Sequence, residues 1–285
     1  MDRLEAIERV AIRAARAAGR IHLRRLSHTN ISRKTNAIDL VTEADHESEA
    51  AVMDVLQRAF PDHTILTEEG RGSSKVVSEH RWIIDPLDGT TNFAHTFPQF
   101  SVSIGYERRG RVQLGVILDV FKKELFVARR GAGASLNRKP IGVSHVRTLD
   151  MSLLATGFPY DRRERRRFYL CFWEAFMLRT HGVRRTGSAA LDLAWVACGR
   201  VDAFWEFGLK PWDVAAGSLL VEEAGGHVSN MDGTMLDIAA EQIVASNGRL
   251  HQQMIETIAA IRPEAERRHA EMLREEHATQ NAGHH

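Results

Sequence analysis

Residues 81 to 93 read RWIIDPLDGTTNF, an apolar run that stops abruptly on two aspartates. Trp82, Ile83 and Ile84 have the composition of a buried strand, so Asp85 and Asp88 stand at the end of a core element, where a carboxylate is costly to hold. Pro86 fixes its own backbone angle and Gly89 permits a tight bend. The two carboxylates can therefore converge, with the carbonyl of Leu87 aimed at the same place. Three hard oxygen donors within four residues suit Mg²⁺. Thr90, Thr91 and Asn92 then open a short helix, whose free N–H groups and positive dipole end suit a phosphate. The plainer alternative is an Asx-type turn in which Asp85 and Asp88 only cap backbone donors.

Further acids bear on that choice: Asp39 and Asp45 in DLVTEAD, Glu68 and Glu69 in LTEEG, and Asp213 in PWDVAAG. Each has an ordinary explanation by itself. Asp45 suits the first turn of a helix, Glu68 and Glu69 suit a solvated loop, and Asp213 suits a cap or first turn. Together with Asp85 and Asp88 they supply carboxylates for more than one cation. Without cations, such a cluster would drive its own pKa values steeply upward.

Holding the cluster requires a sizeable core, and the chain can build one. Its 285 residues are 44% hydrophobic and 26% charged, a globular composition that buries about 70 to 75% of the unfolded surface. One large domain or two small ones fit. Lys and Arg number 38 against 37 Asp and Glu, which leaves no global attraction to nucleic acid or to an anionic membrane. Cys171 and Cys198 are too few for a disulfide framework or a cysteine metal site, so a reducing compartment is the simpler expectation. The amino-terminal stretch is charged and amphipathic, neither a signal peptide nor a membrane span. A cytoplasmic location follows.

Leu4, Ile7, Ala11, Ala14, Ala18 and Ile21 recur at helical spacing. A second helix is expected from Ala44 to Ala59, ended by Pro61, with a strand pair or loop between at Ser32 to Thr42. Short Ile- and Val-rich runs then predict a sheet, antiparallel at first. After about Ser144 strands alternate with helices, which gives an α/β (α+β) chain with an N-terminal half at 1–144 and a C-terminal half at 145–263. Residues 264–285 are highly charged and have no apolar stripe, and a frayed helix or disorder is expected. His284 and His285 read as solvated.

WIIDPLDGTTNF (Trp82 to Phe93) and PWDVAAGSLLVEEAGG (Pro211 to Gly226) occur with DLVTEAD, TEEG and RRTGSAALDLAWVACGRVDAFWE. In this combination the chain resembles the inositol monophosphatase family, magnesium-dependent, lithium-sensitive phosphatases related in fold to fructose-1,6-bisphosphatase, and most of all its bacterial SuhB-type members. The resemblance runs from Met1 to about Ile261 and implies a layered αβαβα sandwich. It also implies two to three Mg²⁺ per chain. Glu68, Asp85 and the Leu87 carbonyl would hold the first, Asp85, Asp88 and Asp213 the second, and Glu68 a weaker third. Thr90 and Glu68 would orient and deprotonate the attacking water, with Asp45 holding the Thr90 hydroxyl. Gly89, Thr90 and Thr91 would cradle the phosphate. Gly187, Ser188, Ala189 and Glu206 would face the alcohol, with Asp213 also beside the substrate. A carboxylate accepts hydrogen bonds from adjacent hydroxyls, although Glu206 also fits a surface acid at a strand end.

The implied reaction is hydrolysis of a phosphate monoester by metal-activated water, without a phosphoenzyme. Inositol-1-phosphate is the preferred substrate, ahead of 3′-phosphoadenosine 5′-phosphate, fructose-1,6-bisphosphate, histidinol phosphate and NADP. The family is commonly dimeric. SuhB-type proteins are also linked to RNA polymerase and antitermination, so an RNA polymerase or RNA association is a second reading. The basic runs Arg162 to Arg167 and Arg184 to Arg185 would serve it, unless they form a solvated helix face and an ion-pairing strand. Trp173, Phe172, Phe176, Trp195, Phe204 and Trp205 read as packing residues, and His95 as solvent-facing.

Overall fold

A computed structural model describes residues 3–26, 31–33, 40–70 and 78–282. Asp39, His284 and His285 lie outside them. Helix α1 (Arg3–Arg25) carries the expected stripe, and Ile7, Ala11, Ala14 and Ala18 are fully or almost fully buried. Strands β1 (Ile31–Arg33) and β2 (Leu40–Thr42) form an antiparallel pair leading into α2 (Glu43–Ala59), whose Val52 and Leu56 face inward.

Both helices cover one face of a seven-stranded sheet. Its strands, in spatial order, are β3 (Thr64–Thr67), β4 (His80–Asp88), β5 (Ser101–Arg108), β6 (Arg111–Asp119), β7 (Glu124–Arg129), β8 (Gly133–Leu136) and β9 (Lys139–Pro140). Pairing is antiparallel throughout except between β3 and β4, which run parallel. The expected antiparallel start fails at this first pair, since parallel neighbours need a longer connection than a tight hairpin turn. Residues 82 to 84 of β4 alternate between its two faces. Trp82 and Ile84 pack toward α1 and α2, while Ile83 packs toward the other half of the molecule.

That other half is built on a five-stranded sheet in the order β11 (Gly182–Arg184), β10 (Leu153–Thr156), β12 (Ala203–Phe207), β14 (Gln242–Ser246) and β13 (His227–Ser229). Helices α5 (Ala189–Ala197) and α6 (Pro211–Glu223) lie between the two sheets, and Ala190, Leu193, Ala194, Ala215, Ala216 and Leu219 fill a core shared by both. Helices α4 (Arg166–Met177) and α7 (His251–Ala282) cover the outer face of the second sheet against Leu154, Trp205 and Val244. The layers are therefore α1/α2, sheet, α5/α6, sheet, α4/α7, the expected αβαβα order. Phe172, Phe176, Phe204 and Trp205 are core residues.

Of the stretch expected as a frayed helix or disorder, residues 264–282 form the second half of α7, helical to Ala282. Met254, Ile258, Ala265 and Met272 continue one buried stripe past Pro263. The charges find partners on α4: Arg166 bonds Glu276 at 2.8 Å, Arg167 bonds Glu275 at 2.5 Å and Arg268 meets Glu174 at 3.4 Å. No helix among the described residues is long and apolar enough to cross a membrane.

Candidate active site

Asp85 and Asp88 are three residues apart, a spacing that puts side chains on opposite faces of a regular strand. Between Asp85, paired with Ser103, and Asp88, paired with Ser101, strand β4 spends one residue more than β5. This bulge turns the two carboxylates to one side. Asp213, in the first turn of α6, completes the group: one carboxylate oxygen from each of the three lies within 4.8 Å of the others.

Each acid is held by donors that leave an oxygen over. Asp85 Oδ1 accepts from the Leu87 N–H at 2.9 Å. Asp213 Oδ2 accepts from the Lys210 N–H at 2.7 Å. Asp88 Oδ2 accepts from Ser188 Oγ, from the Ala190 N–H at 3.1 Å and from Ser101 Oγ at 3.2 Å. The start of α5 therefore docks on a carboxylate of the first sheet, and the Ser188 hydroxyl expected to face the substrate is engaged by Asp88.

Beneath the cluster, Thr90 Oγ1 lies 2.9 Å from Asp45 Oδ1 and 3.1 Å from the Leu87 carbonyl. Asp45 is itself fixed as the third helical residue of α2, where its Oδ2 accepts from the Thr42 N–H at 2.7 Å and the Thr42 hydroxyl at 2.6 Å. This capping arrangement is why DLVTEAD delivers a buried carboxylate to a threonine 45 residues away. Gly89 begins α3 (Thr90–Ala94) with a φ of 93°, a left-handed conformation.

A cavity of about 430 Å³ is lined by Glu68, Asp85, Leu87, Asp88 and Asp213, together with Gly187, Ala189 and Glu206. Gly89, Thr90, Thr91 and Ser188 also line it, whereas Asp45 stands behind Thr90 and His95 is exposed. A groove of similar size over α1 and β6 is lined by Arg16, Arg20, Lys123 and Arg138 without a carboxylate. Chemistry, not volume, distinguishes the two. Several functional positions were not legible in the sequence. Arg162, Arg185 and Tyr160 also line the acidic cavity, and Gly157 lies so close to Glu206 that a Cβ there would overlap its carboxylate. The only signal for the arginines was their place in basic runs.

Burial, with Glu68, Asp88 and Asp213 nearby, raises the Asp85 pKa well above the usual carboxylate range. Burial and Glu68 do the same to Asp213. Asp88 is raised by burial against the opposing effect of hydrogen bonds from Ser188, Ala190, Ser101 and Ala189, and Asp45 by burial against those of Thr42 and Thr90. Burial pushes Glu206 up to about 8, with Arg185 opposing. Among the described residues, no Lys or Arg side chain ion-pairs with Asp85, Asp88 or Asp213. An uncompensated set of hard oxygen donors at this spacing fits a divalent cation.

The family model for the inositol monophosphatase family matches residues 3–266. The chain belongs to the inositol monophosphatase family. It is 49% identical over 231 residues to an inositol-1-monophosphatase of Synechocystis, covering 81% of this chain and 80% of that one. It is 44% identical over 257 residues to the Nus factor SuhB of Pseudomonas aeruginosa, covering 87% and 94%. The solved inositol monophosphatase of Anabaena superposes with a TM-score of 0.83 at 46% identity, covering 91% of this chain and 98% of that one. Family membership makes the chain a phosphatase, and the acidic cavity is where its fold would carry out that chemistry.

Proposed function

We propose that this phosphatase hydrolyses inositol-1-phosphate and similar polyol monophosphates with Mg²⁺ as its cofactor, two to three ions per chain. The observation that carries the reading is the convergence of Asp85, Asp88 and Asp213 with no ion-pairing basic side chain among the described residues. Glu68, Asp85 and the Leu87 carbonyl would hold one ion, and Asp85, Asp88 and Asp213 a second. Glu68 would contribute to a third. Mg²⁺ bound there supplies Lewis acidity, lowering the pKa of a water and neutralising charge on the phosphoryl and leaving oxygens.

The side chains divide the remaining work. With its proton donated to Asp45, Thr90 Oγ1 presents lone pairs to the attacking water. Glu68 accepts that water's proton. Backbone N–H groups at Gly89, Thr90 and Thr91 hold the phosphate against the acids. Glu206, with Gly187, Ser188 and Ala189, lines the cavity beside the acids and receives the polyol hydroxyls, and Asp213 also lies beside the substrate.

The Synechocystis relative supports inositol-1-phosphate as the substrate. The test is phosphate release from inositol-1-phosphate beside 3′-phosphoadenosine 5′-phosphate, fructose-1,6-bisphosphate, histidinol phosphate and NADP, with and without lithium. The expected result is preference for inositol-1-phosphate, inhibited by lithium and weakened by Glu206→Gln. Preference for a rival would keep the metal chemistry and discard the role of Glu206.

We further propose a cytoplasmic homodimer. Two free cysteines support the compartment, and exposed Leu170, Met177 and Leu178 support a partner surface. The Pseudomonas relative's name supports a second, transcription-related role beside RNA polymerase. The basic run offers it less than its sequence implied, because Arg166 and Arg167 are engaged by α7 and Arg165 packs over the Phe168 ring.

A further inference from the structure

The bulge in β4 leaves backbone groups without ladder partners, and what satisfies them decides how firmly the acids are placed. Pro86 and Leu87 lie between the paired residues Asp85 and Asp88. The Leu87 N–H is taken by Asp85 Oδ1. The Pro86 carbonyl, at the other end of the same peptide group, is 3.0 Å from Nε2 of His22. His22 comes from α1, 64 residues away in sequence, and is completely buried. Its ring packs against Phe93 and Phe100, each with centroids 5.8 Å away. Among the described residues, Nδ1 has no hydrogen-bond partner.

A carbonyl oxygen only accepts, so Nε2 must carry the proton. Nδ1 in its apolar pocket is then the bare nitrogen of a neutral ring, consistent with burial pushing the imidazole down to about 4. What the position requires is a flat apolar ring with one N–H.

We infer that His22 is a positioning residue for the metal site: its Nε2–H holds the Pro86 carbonyl and so fixes the bulge that brings Asp85, the Leu87 carbonyl and Asp88 together. With the Pro86–Leu87 peptide gripped at both ends, by His22 and by Asp85, the group cannot rotate without releasing a buried hydrogen bond. Rotation would free the Asp85 carboxylate and swing the Leu87 carbonyl, two donors at once. A single bond on a helix outside the cavity thus supports the cluster as partners of metal ligands do elsewhere.

The inference rests on the reading of that cluster as a Mg²⁺ site, and the experiment separates the two. Mg²⁺ is titrated calorimetrically into the full chain as wild type, His22→Met, which fills similar space without a donor, and His22→Gln, which keeps an N–H. Activity at saturating Mg²⁺ and melting in EDTA are measured alongside. His22→Met should weaken Mg²⁺ binding roughly 10- to 100-fold, with kcat at saturating Mg²⁺ within about threefold, and His22→Gln should recover part of the affinity. A purely structural role would lower the melting temperature in EDTA and leave the affinity of the folded fraction alone. In the wild type, the Nε2 proton should appear as a slowly exchanging imidazole resonance in ¹⁵N-resolved spectra and shift when Mg²⁺ is added. Unchanged affinity in the folded variants overturns the inference, as does an Nε2 proton blind to Mg²⁺, which decides the matter even where a variant fails to fold. Wild-type protein that binds no Mg²⁺ overturns the metal reading itself.

Discussion

Replacing Asp213 by Asn should make the metal-free protein more stable and the enzyme inactive. Asp213 keeps one carboxylate oxygen within 4.8 Å of oxygens on Asp85 and Asp88. At an effective dielectric of about 20, two full charges at that distance repel by about 3 kcal/mol. Protonation offers an escape, and its cost sets a ceiling. From an ordinary value of 3.8 to pH 7, at about 1.4 kcal/mol per unit, that ceiling is about 4 kcal/mol. Asp213 is only partly buried at the cavity wall, so water screens it, and about 2 kcal/mol is the expected release. Asn keeps an acceptor for the Lys210 N–H, so nothing is lost in the capping turn. In EDTA at pH 7 the melting temperature should rise by roughly 4 °C, and Mg²⁺ should add less to it than it adds to the wild type. The sign with pH follows from the raised folded-state pKa. Metal-free stability present at low pH is lost as pH rises through that value, and Asn removes this component of the loss. Calorimetry in EDTA at pH 5 and 8 reads all of this. A variant less stable than wild type in EDTA would refute the electrostatic reasoning, since it would mean that Asp213 supports the fold rather than straining it.

Gly157→Ala should press on Glu206, an overpacking cost of about 1 to 3 kcal/mol. It would appear as a KM for the polyol phosphate raised roughly 5- to 100-fold with a smaller change in kcat; an unaltered KM would remove Glu206 from the binding site. Met272→Ala should cost about 2 to 4 kcal/mol in urea denaturation, because Met272 is buried and its helix α7 packs against α4, whereas a free tail would register nothing. Glu206 is held at about 8 against an ordinary 4.5, so its contribution to stability is complete below 4.5 and disappears as pH rises through 8. Urea midpoints of wild type should fall across that window more steeply than those of Glu206→Gln, and parallel slopes would contradict the burial argument.

Much of this was visible in the chain itself. The apolar run into Asp85 and Asp88 announced both a core strand and an oxygen-rich end, and the helical spacing of Ile7 to Ile21 placed α1. The reason for convergence was not visible: Pro86 and Gly89 suggested a turn, but the bulge exists only relative to Ser101 and Ser103 on β5. Gly157 was unreadable for a similar reason, since the carboxylate it makes room for comes from the neighbouring strand. The charged end of α7 looked like a solvated tail because its partners, Arg166 and Arg167, belong to a run that itself looked solvated. Each half of that contact hid the meaning of the other.

The most direct test of the central claim is phosphate release from inositol-1-phosphate as a function of Mg²⁺ concentration, in wild type, Asp88→Asn and Asp213→Asn. The account predicts no turnover in EDTA, saturable activation by Mg²⁺ in the wild type, and a loss of at least about 100-fold in both variants. Turnover that persists in EDTA, or that survives either substitution, would contradict it.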